Sequence, residues 1–277
     1  MAYVHCPALR CPIDGSPLVL HGSSLGCQQR HSFDLAKQGY VNLLLNHDKR
    51  SNDPGDSKAM VAARRAFLGL GLYEPILERI CDLVVHNLPP AGLVVDAGCG
   101  EGYYLEGLWR RAMATGIDIA AVGFDISKWA VSVAAKRFAA TWLVATNRRI
   151  PLCSATSDVI LDIFGFACPD EFARVLKPGG LWLRVGAGAD HLLALRKLVY
   201  PEVPERSVLP TENHGFTLLD THRLQFALPT LAQPAIDHLF MMTPHYFRAP
   251  AEGRAQLADC HRLNVSADVV FEVLERR

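Results

Sequence analysis

A doubly wound α/β fold with a mostly parallel sheet, preceded by a small metal-bearing module, is what this sequence predicts, on three observations. Short apolar runs alternate with helical stretches from Leu93 to Leu198, the pattern of parallel strands joined by crossover helices. The run Val94-Val95-Asp96-Ala97 leads into the glycine-rich turn Gly98-Cys99-Gly100-Glu101-Gly102 and then a helical stretch, the layout of a nucleotide-binding first crossover. Cys6, Cys11, Cys27 and His31 crowd the start of the chain, in a stretch rich in Pro, Gly and Ser.

Bulk properties set the bounds. A chain of 277 residues has room for one large domain plus a smaller module. With 50% hydrophobic and 20% charged residues, it is neither disordered nor fibrous. The formal net charge is zero, so any nucleic-acid contact has to come from a local basic surface. Met1 to Arg10 lacks a long apolar region, and no uninterrupted apolar run reaches membrane-spanning length; the expectation is a cytoplasmic protein with no membrane span. Eight cysteines in such a chain point to thiols and metal ligands rather than a disulfide framework.

The first segment is too small to hold itself together by burial. Cys27-Gln28-Gln29-Arg30-His31 spaces two ligands for one zinc, which takes four Cys or His donors in a tetrahedron when structural. Cys11 is the third. In Cys11-Pro12-Ile13-Asp14-Gly15 the second cysteine of a zinc knuckle is replaced by Asp14, so either Asp14 ligates through oxygen or Cys6 folds back to supply sulfur. Softness favours Cys6 and turn geometry favours Asp14; the sequence leaves both open. A bound zinc would contribute an apparent ~10–16 kcal/mol toward folding. Cys81, Cys99, Cys153, Cys168 and Cys260 are scattered and read as small packed side chains.

Phe33 to Leu45 is followed by a polar breaker, Asn46 to Ser57, in which Asp56 or Ser57 is placed to cap a helix. Met60, Ala63, Phe67 and Leu68 give that helix its period, and Ile76, Leu77, Ile80, Leu83 and Val84 give a second after Pro75. The expected division is residues 1–45 as the zinc module, 46–90 as linker and helices, and 91–277 as the main domain.

Within the main domain, strands are expected at Leu93–Val95, Ala121–Phe124, Trp142–Ala145, Val159–Phe164 and Leu181–Val185. Helices are expected at Glu101–Arg111, Lys128–Phe138, Asp170–Leu176 and His191–Leu198. Phe216–Leu219, Arg223–Leu228 and Val269–Leu274 read as further strands. The glycines at 98, 100 and 102 let backbone approach a ligand without Cβ collisions. A dinucleotide fingerprint needs a later glycine where Tyr103 stands. Asp125 ends the next strand, where a ribose-binding acid belongs.

At this point a resemblance enters. Val94 to Gly102, with Asp125 and the turn Lys177-Pro178-Gly179-Gly180, resembles the first motif, the ribose acid and a recurrent turn of class I S-adenosylmethionine methyltransferases. That likeness implies a Rossmann-like, mostly parallel, seven-stranded sheet. Joined to the N-terminal cluster, the segments His31-Ser32-Phe33-Asp34, Gln38 to Leu44, Lys49-Arg50, Asp53 to Ser57, Ala63 to Leu68 and Ala134 to Arg137 resemble the bacterial 23S ribosomal RNA (guanine-N1)-methyltransferases. The family resemblance implies a zinc-ribbon-like module that grips RNA, a homodimer, a 23S rRNA hairpin as partner, and S-adenosylmethionine and zinc as cofactors. Carried over by position, it implies cofactor contacts at Tyr73, Tyr104, Leu105 and His191 beside Asp96, Gly98, Gly100, Gly102 and Asp125.

Guanine N1 carries a proton that has to leave, so a base is expected. After the fourth strand the sequence reads Asp162-Ile163-Phe164-Gly165-Phe166. Asp162 is the candidate proton acceptor, and Phe164 or Phe166 the platform on which an extruded base stacks. The blander expectation for Asp162 is a strand residue facing solvent or paired with a cation. Lys49, Arg50, Arg64 and Arg65 are the candidate phosphate contacts. Competing readings are a methyltransferase for a small molecule, with Phe240-Met241-Met242 lining its pocket, a non-catalytic zinc and RNA adaptor, and an NAD-dependent enzyme.

Overall fold

The computed structural model describes residues 3–49, 51–203 and 215–277. The N-terminal module is a three-stranded antiparallel sheet of β1 (Val19–His21), β2 (Ser24–Gly26) and β3 (Ser32–Asp34). It is followed by β4 (Val41–Asn42), α1 (Lys58–Leu68) and α2 (Glu74–Val85). Ser57 caps α1, its Oγ accepting from the Met60 N–H, and Pro75 sits in the first turn of α2, where no helix bond is lost.

The main sheet is then built from β5 (Gly92–Ala97), α3 (Tyr103–Ala114), β6 (Ile119–Asp125), α4 (Lys128–Ala134), β7 (Thr141–Val144), β8 (Ser157–Ile163), α5 (Pro169–Val175), β9 (Leu176–Ala187), α6 (Leu193–Val199) and β10 (Phe216–Ala227). The chain ends with a short pair, β11 (Leu231–Ala232) and β12 (Arg262–Leu263), around helices α7 (Gln233–Met241), α8 (His245–Arg248) and α9 (Ala251–Ala258), and then β13 (Ser266–Arg276). The strand order is β10-β13-β9-β8-β5-β6-β7-β4. From β9 to β4 the neighbours run parallel, and β13 is antiparallel to both of its partners. All six residues of β5 are buried, as befits a central parallel strand covered on both faces.

Three features depart from the sequence reading. The sheet has eight strands, because Val41 and Asn42 leave the N-terminal segment and pair in parallel with Leu143 and Val144. Phe216–Leu219 and Arg223–Leu228 are one strand, with the register irregularity at Leu218/Asp220 absorbing the polar break. The Lys177 to Gly180 turn lies inside β9, at an irregularity opposite Ser157 to Val159. The two helices expected in residues 46–90 pack on the main domain: α1 rests on α7 and α4, and α2 on α3.

Alternation along the strands divides the core. Val94, Val159 and Leu183 face α2, α3, α4 and α6. Leu93, Val95, Ile160 and Trp182 face α5 and, beside it, Leu9, Cys11, Leu18 and Leu25 of the N-terminal module. Leu9 bridges to Leu152, and the Arg10 and Cys153 N–H groups donate to Pro151 and Ala8 carbonyls. Among the described residues no helix separates β7 from β8. The module lies there instead, as part of the layer that covers this face.

Candidate active site and metal centre

The turn after β5 is shaped by glycines in left-handed backbone: Gly98 at φ 87°, Gly100 at 54° and Gly102 at 83°. A Cβ at Gly98 would project into open space, whereas one at Gly100 would lie 3.3 Å from Arg64 Nη1 and one at Gly102 2.9 Å from the Trp142 ring. Gly98 and Cys99 N–H groups both donate to the Phe124 carbonyl, at 2.9 Å each, tying the loop to the end of β6. Asp125 stands at that end. Its Oδ2 accepts from the Gly100 N–H at 3.0 Å and its Oδ1 from the Ser127 N–H at 2.8 Å, so the carboxylate is aimed along the glycine loop. Burial raises its pKa; the Ser127 N–H and the Arg64 charge act against that.

Asp96, 2% exposed, is pushed up to about 8 by burial and by the neighbouring Asp125 and Asp162 carboxylates. Such a cluster of unpaired acids awaits a cationic partner. Open space over Gly98, an inward carboxylate at Asp125 and buried acid at Asp96 fit a nucleoside with a positively charged chain. Tyr104, at the start of α3, has its hydroxyl raised well above the usual range by burial and by Tyr73, while Leu105 is fully buried in the core. Tyr73 is buried, packs edge-on against Phe67, and has its hydroxyl 3.5 Å from His191 Nε2. His191 precedes α6 rather than opening it, and its Nδ1 is 3.0 Å from the Asp268 carbonyl. The structure thus brings Tyr73 and His191, 118 residues apart, to one place.

At the other end of the chain's first sheet, Cys11, Asp14, Cys27 and His31 point their ligand atoms inward, all within 4.8 Å of one another. His31 Nδ1 lies 3.0 Å from Asp14 Oδ2, 3.4 Å from Cys27 Sγ and 3.5 Å from Cys11 Sγ, and Cys27 Sγ is 3.3 Å from Asp14 Oδ2. A tetrahedral zinc with bonds of about 2.0–2.3 Å separates its donors by roughly 3.3–3.8 Å, so the donor set fits the ion. Ser16 fixes Asp14 by donating from its N–H and hydroxyl to Oδ1, leaving Oδ2 for the centre. Cys6 is not part of the cluster. It is buried in the apolar core, and burial raises its thiol pKa. Turn geometry prevails over softness, because Asp14 sits in the same Cys11–Gly15 turn, closed by the Gly15 N–H on the Cys11 carbonyl.

Residues 9–52 match the zinc-ribbon family model described as "RlmA, N-terminal", and residues 94–180 match the one described as "Methyltransferase domain". A Bacillus subtilis protein with the provisional name 23S rRNA (guanine-N(1)-)-methyltransferase YxjB is 34% identical over 273 residues, covering 94% of each chain. The chain belongs to the 23S rRNA (guanine-N1)-methyltransferase family. A Streptomyces fradiae relative named 23S rRNA (guanine(748)-N(1))-methyltransferase is 36% identical, covering 68% of this chain and 66% of its own. Membership in this family carries a class I methyltransferase fold, S-adenosylmethionine as cofactor and a zinc-ribbon segment.

On the acceptor side of this family member, Asp162 is the penultimate residue of β8. It is 3% exposed, so the solvent-facing expectation is corrected. It also has no salt bridge among the described residues, since Arg184, the nearest cation acting on it, pairs with Glu272. Its Oδ1 has no hydrogen-bond partner among the described residues. Burial pushes its pKa up to about 7, with Arg184 opposing. Gly165 is required beside it, because a Cβ there would come 2.3 Å from that oxygen. Phe164, with φ at 52°, is partly exposed and its ring lies 5.6 Å from the His191 ring. Phe166 is exposed, and its carbonyl accepts from Asn147.

The four basic candidates separate. Lys49 Nζ donates to Asn46 and Arg65 is exposed on α1, while Arg50 lies outside the described residues. Arg64 turns inward: its Nη1 is 2.5 Å from Asp56 Oδ2 and its Nη2 donates to the Met242 carbonyl at 3.2 Å. Sequence reasoning missed the segment around it. Asp53 accepts from Trp129 Nε1 and pairs with Lys128, and the Asp56 carbonyl accepts from Ser127 Oγ. These bonds strap residues 53–56 across the loop that follows Asp125. Their only signal was the Asp-Pro-Gly-Asp turn, which gives no direction in space. Phe240, offered as a small-molecule pocket wall, is instead buried in the core.

Proposed function

We propose that this protein transfers a methyl group from S-adenosylmethionine to N1 of a guanine in a hairpin loop of 23S ribosomal RNA. The observation that carries the proposal is the union, in one chain, of a Cys-Asp-Cys-His cluster with a glycine loop and its facing acid. An RNA grip has no use in an enzyme for small molecules, and an intact loop has none in an adaptor. The printed names of the relatives support the same acceptor. Among the described residues no helix is long and apolar enough to cross a membrane, which suits work on ribosomal RNA in the cytoplasm.

When bound, the cofactor supplies an electrophilic methyl group on a sulfonium. Asp125 holds the ribose hydroxyls, Asp96 neutralises positive charge, and Gly98, Gly100 and Gly102 leave room for the ligand. Tyr73, Tyr104 and His191 close the site around its chain, with Leu105 packed in the core behind them, and exclude water, so that alignment lowers the barrier. Phe164 stacks on the extruded guanine. Asp162 accepts the N1 proton, its raised pKa matching a base that works near neutrality. Zinc, held by Cys11, Asp14, Cys27 and His31, keeps residues 1–45 in shape, and Lys49, Arg50 and Arg65 contact phosphates. Two copies form the working unit, with the hairpin between them.

Incubation with methyl-labelled cofactor tests the proposal against its rival. Total ribosomal RNA and a low-molecular-mass extract, both from cells lacking the enzyme, are offered side by side. Label is expected in the large-subunit RNA alone; label confined to the extract would establish the small-molecule reading, and none in either the adaptor.

A further inference from the structure

Arg64 was a candidate for phosphate contact, yet it turns inward while its neighbour Arg65 is exposed. Successive residues on a helix point about 100° apart, so a basic pair on α1 divides between two environments. Arg65 remains in solvent. Arg64, with its side chain 26% exposed, reaches the lip of the glycine loop, where its Nη1 stands 3.3 Å from the position a Cβ on Gly100 would take. Bare backbone is what allows the approach.

The charges around the loop define what is missing. Asp96, Asp125, Glu101 and Asp56 line it with carboxylates. Arg137 is fully committed to Glu101 and Glu106. Arg64 is the cation that acts on Asp125, Glu101 and Tyr104 together, three residues on different elements of the proposed site. A guanidinium has five N–H donors. Here one bond goes to Asp56 and one to the Met242 carbonyl, leaving donors for another acceptor. S-adenosylmethionine carries two positive groups, which the acids suit, and one amino-acid carboxylate, which they repel. Planar guanidinium is the side chain that matches a carboxylate in geometry and charge.

We infer that Arg64 anchors the amino-acid carboxylate of the cofactor, with Asp56 and the Met242 carbonyl holding the guanidinium in place at Gly100. The inference rests on the methyltransferase reading of the site. It reassigns Arg64 from RNA to cofactor and leaves Arg65 as the phosphate contact.

Calorimetric titration with two ligands tests it. S-adenosylhomocysteine carries the amino acid; 5′-methylthioadenosine keeps the nucleoside and the thioether but lacks it. Arg64→Ala is expected to weaken S-adenosylhomocysteine at least about tenfold, the size of a charge-assisted hydrogen bond, and to change methylthioadenosine less than twofold. Arg64→Lys, which keeps charge without the fork, is expected to fall between. Equal losses for both ligands would overturn the inference in favour of a structural role. Unchanged binding of S-adenosylhomocysteine with weakened RNA binding would overturn it and return Arg64 to phosphate contact. If the wild type bound neither ligand, the methyltransferase reading itself would fail, and this inference with it.

Discussion

Burial holds the Asp162 carboxyl protonated up to about pH 7, against an ordinary value of 3.8, and two consequences follow with opposite signs. As a base the group works only when ionised, so kcat/KM is expected to rise with pH and level off above about 7. Asp162→Asn is expected to abolish that limb and lower the plateau by about 10²–10⁴; a pH–rate profile with the limb intact in the variant would remove Asp162 from the chemistry. For stability the folded state binds the proton more tightly than the unfolded chain. That contribution is present below about pH 4 and is lost as pH rises through 7, so urea denaturation should find Asp162→Asn gaining on wild type from pH 5 to pH 8. Asp125→Ala is expected to cost about 1.5–3 kcal/mol of cofactor affinity by calorimetry, since its two oxygens face the loop through Gly100 and Ser127. The sequence names the candidate residue types of the site but not the direction in which each side chain points. Softness favoured Cys6 and turn geometry Asp14, and the Ser16 hydrogen bonds and the burial of Cys6 separate them. Arg64 and Arg65 are indistinguishable until α1 is docked.

At the scale of elements, period and capping located the strands from β5 to β9 and the helices between them to within a few residues. Each of these is set chiefly by local apolar spacing, with a side-chain cap added at α4 by Ser127. Elements that exist only through long-range pairing were not legible. β4 is two residues long and is a strand because Leu143 and Val144 lie beside it. β10 absorbs a polar break that locally reads as a turn. The glycine loop offers a direct check of its packing. Gly102→Ala would force a left-handed Cβ against Trp142 and Ala134 and is expected to destabilise by about 1–3 kcal/mol, read as a lower urea midpoint. In the metal turn, Asp14→Ala is expected to lose zinc on dialysis, and Asp14→Cys to retain it, with metal content measured by atomic emission. Retention by Asp14→Ala would remove the carboxylate from the ligand set.

For the whole molecule, the decisive arrangement is that the N-terminal module shares its core with the sheet. Leu9, Leu18 and Leu25 pack in one cluster with Val95, Ile160 and Trp182, and Arg149 donates to the Pro12 carbonyl inside the metal turn. If zinc holds the module in shape, its loss would uncover one face of the methyltransferase sheet. Chelation is expected to lower the melting temperature of the molecule as one transition in calorimetry, whereas an unchanged main transition with a separate small one would mean the module is merely tethered. The same shared core and the Arg149–Pro12 bond tie the Cys11–Gly15 turn to the main sheet, so under the proposed function RNA gripped by the module would be presented to the cofactor loop. N1-methylation removes a Watson–Crick donor of guanine, which makes the product visible to reverse transcriptase. The most direct measurement is primer extension on large-subunit ribosomal RNA treated with this protein and S-adenosylmethionine. A new stop beside one hairpin-loop guanine, absent when either component is omitted, is the expected result; label in the RNA with no such stop, or a stop in a different base, would contradict the account.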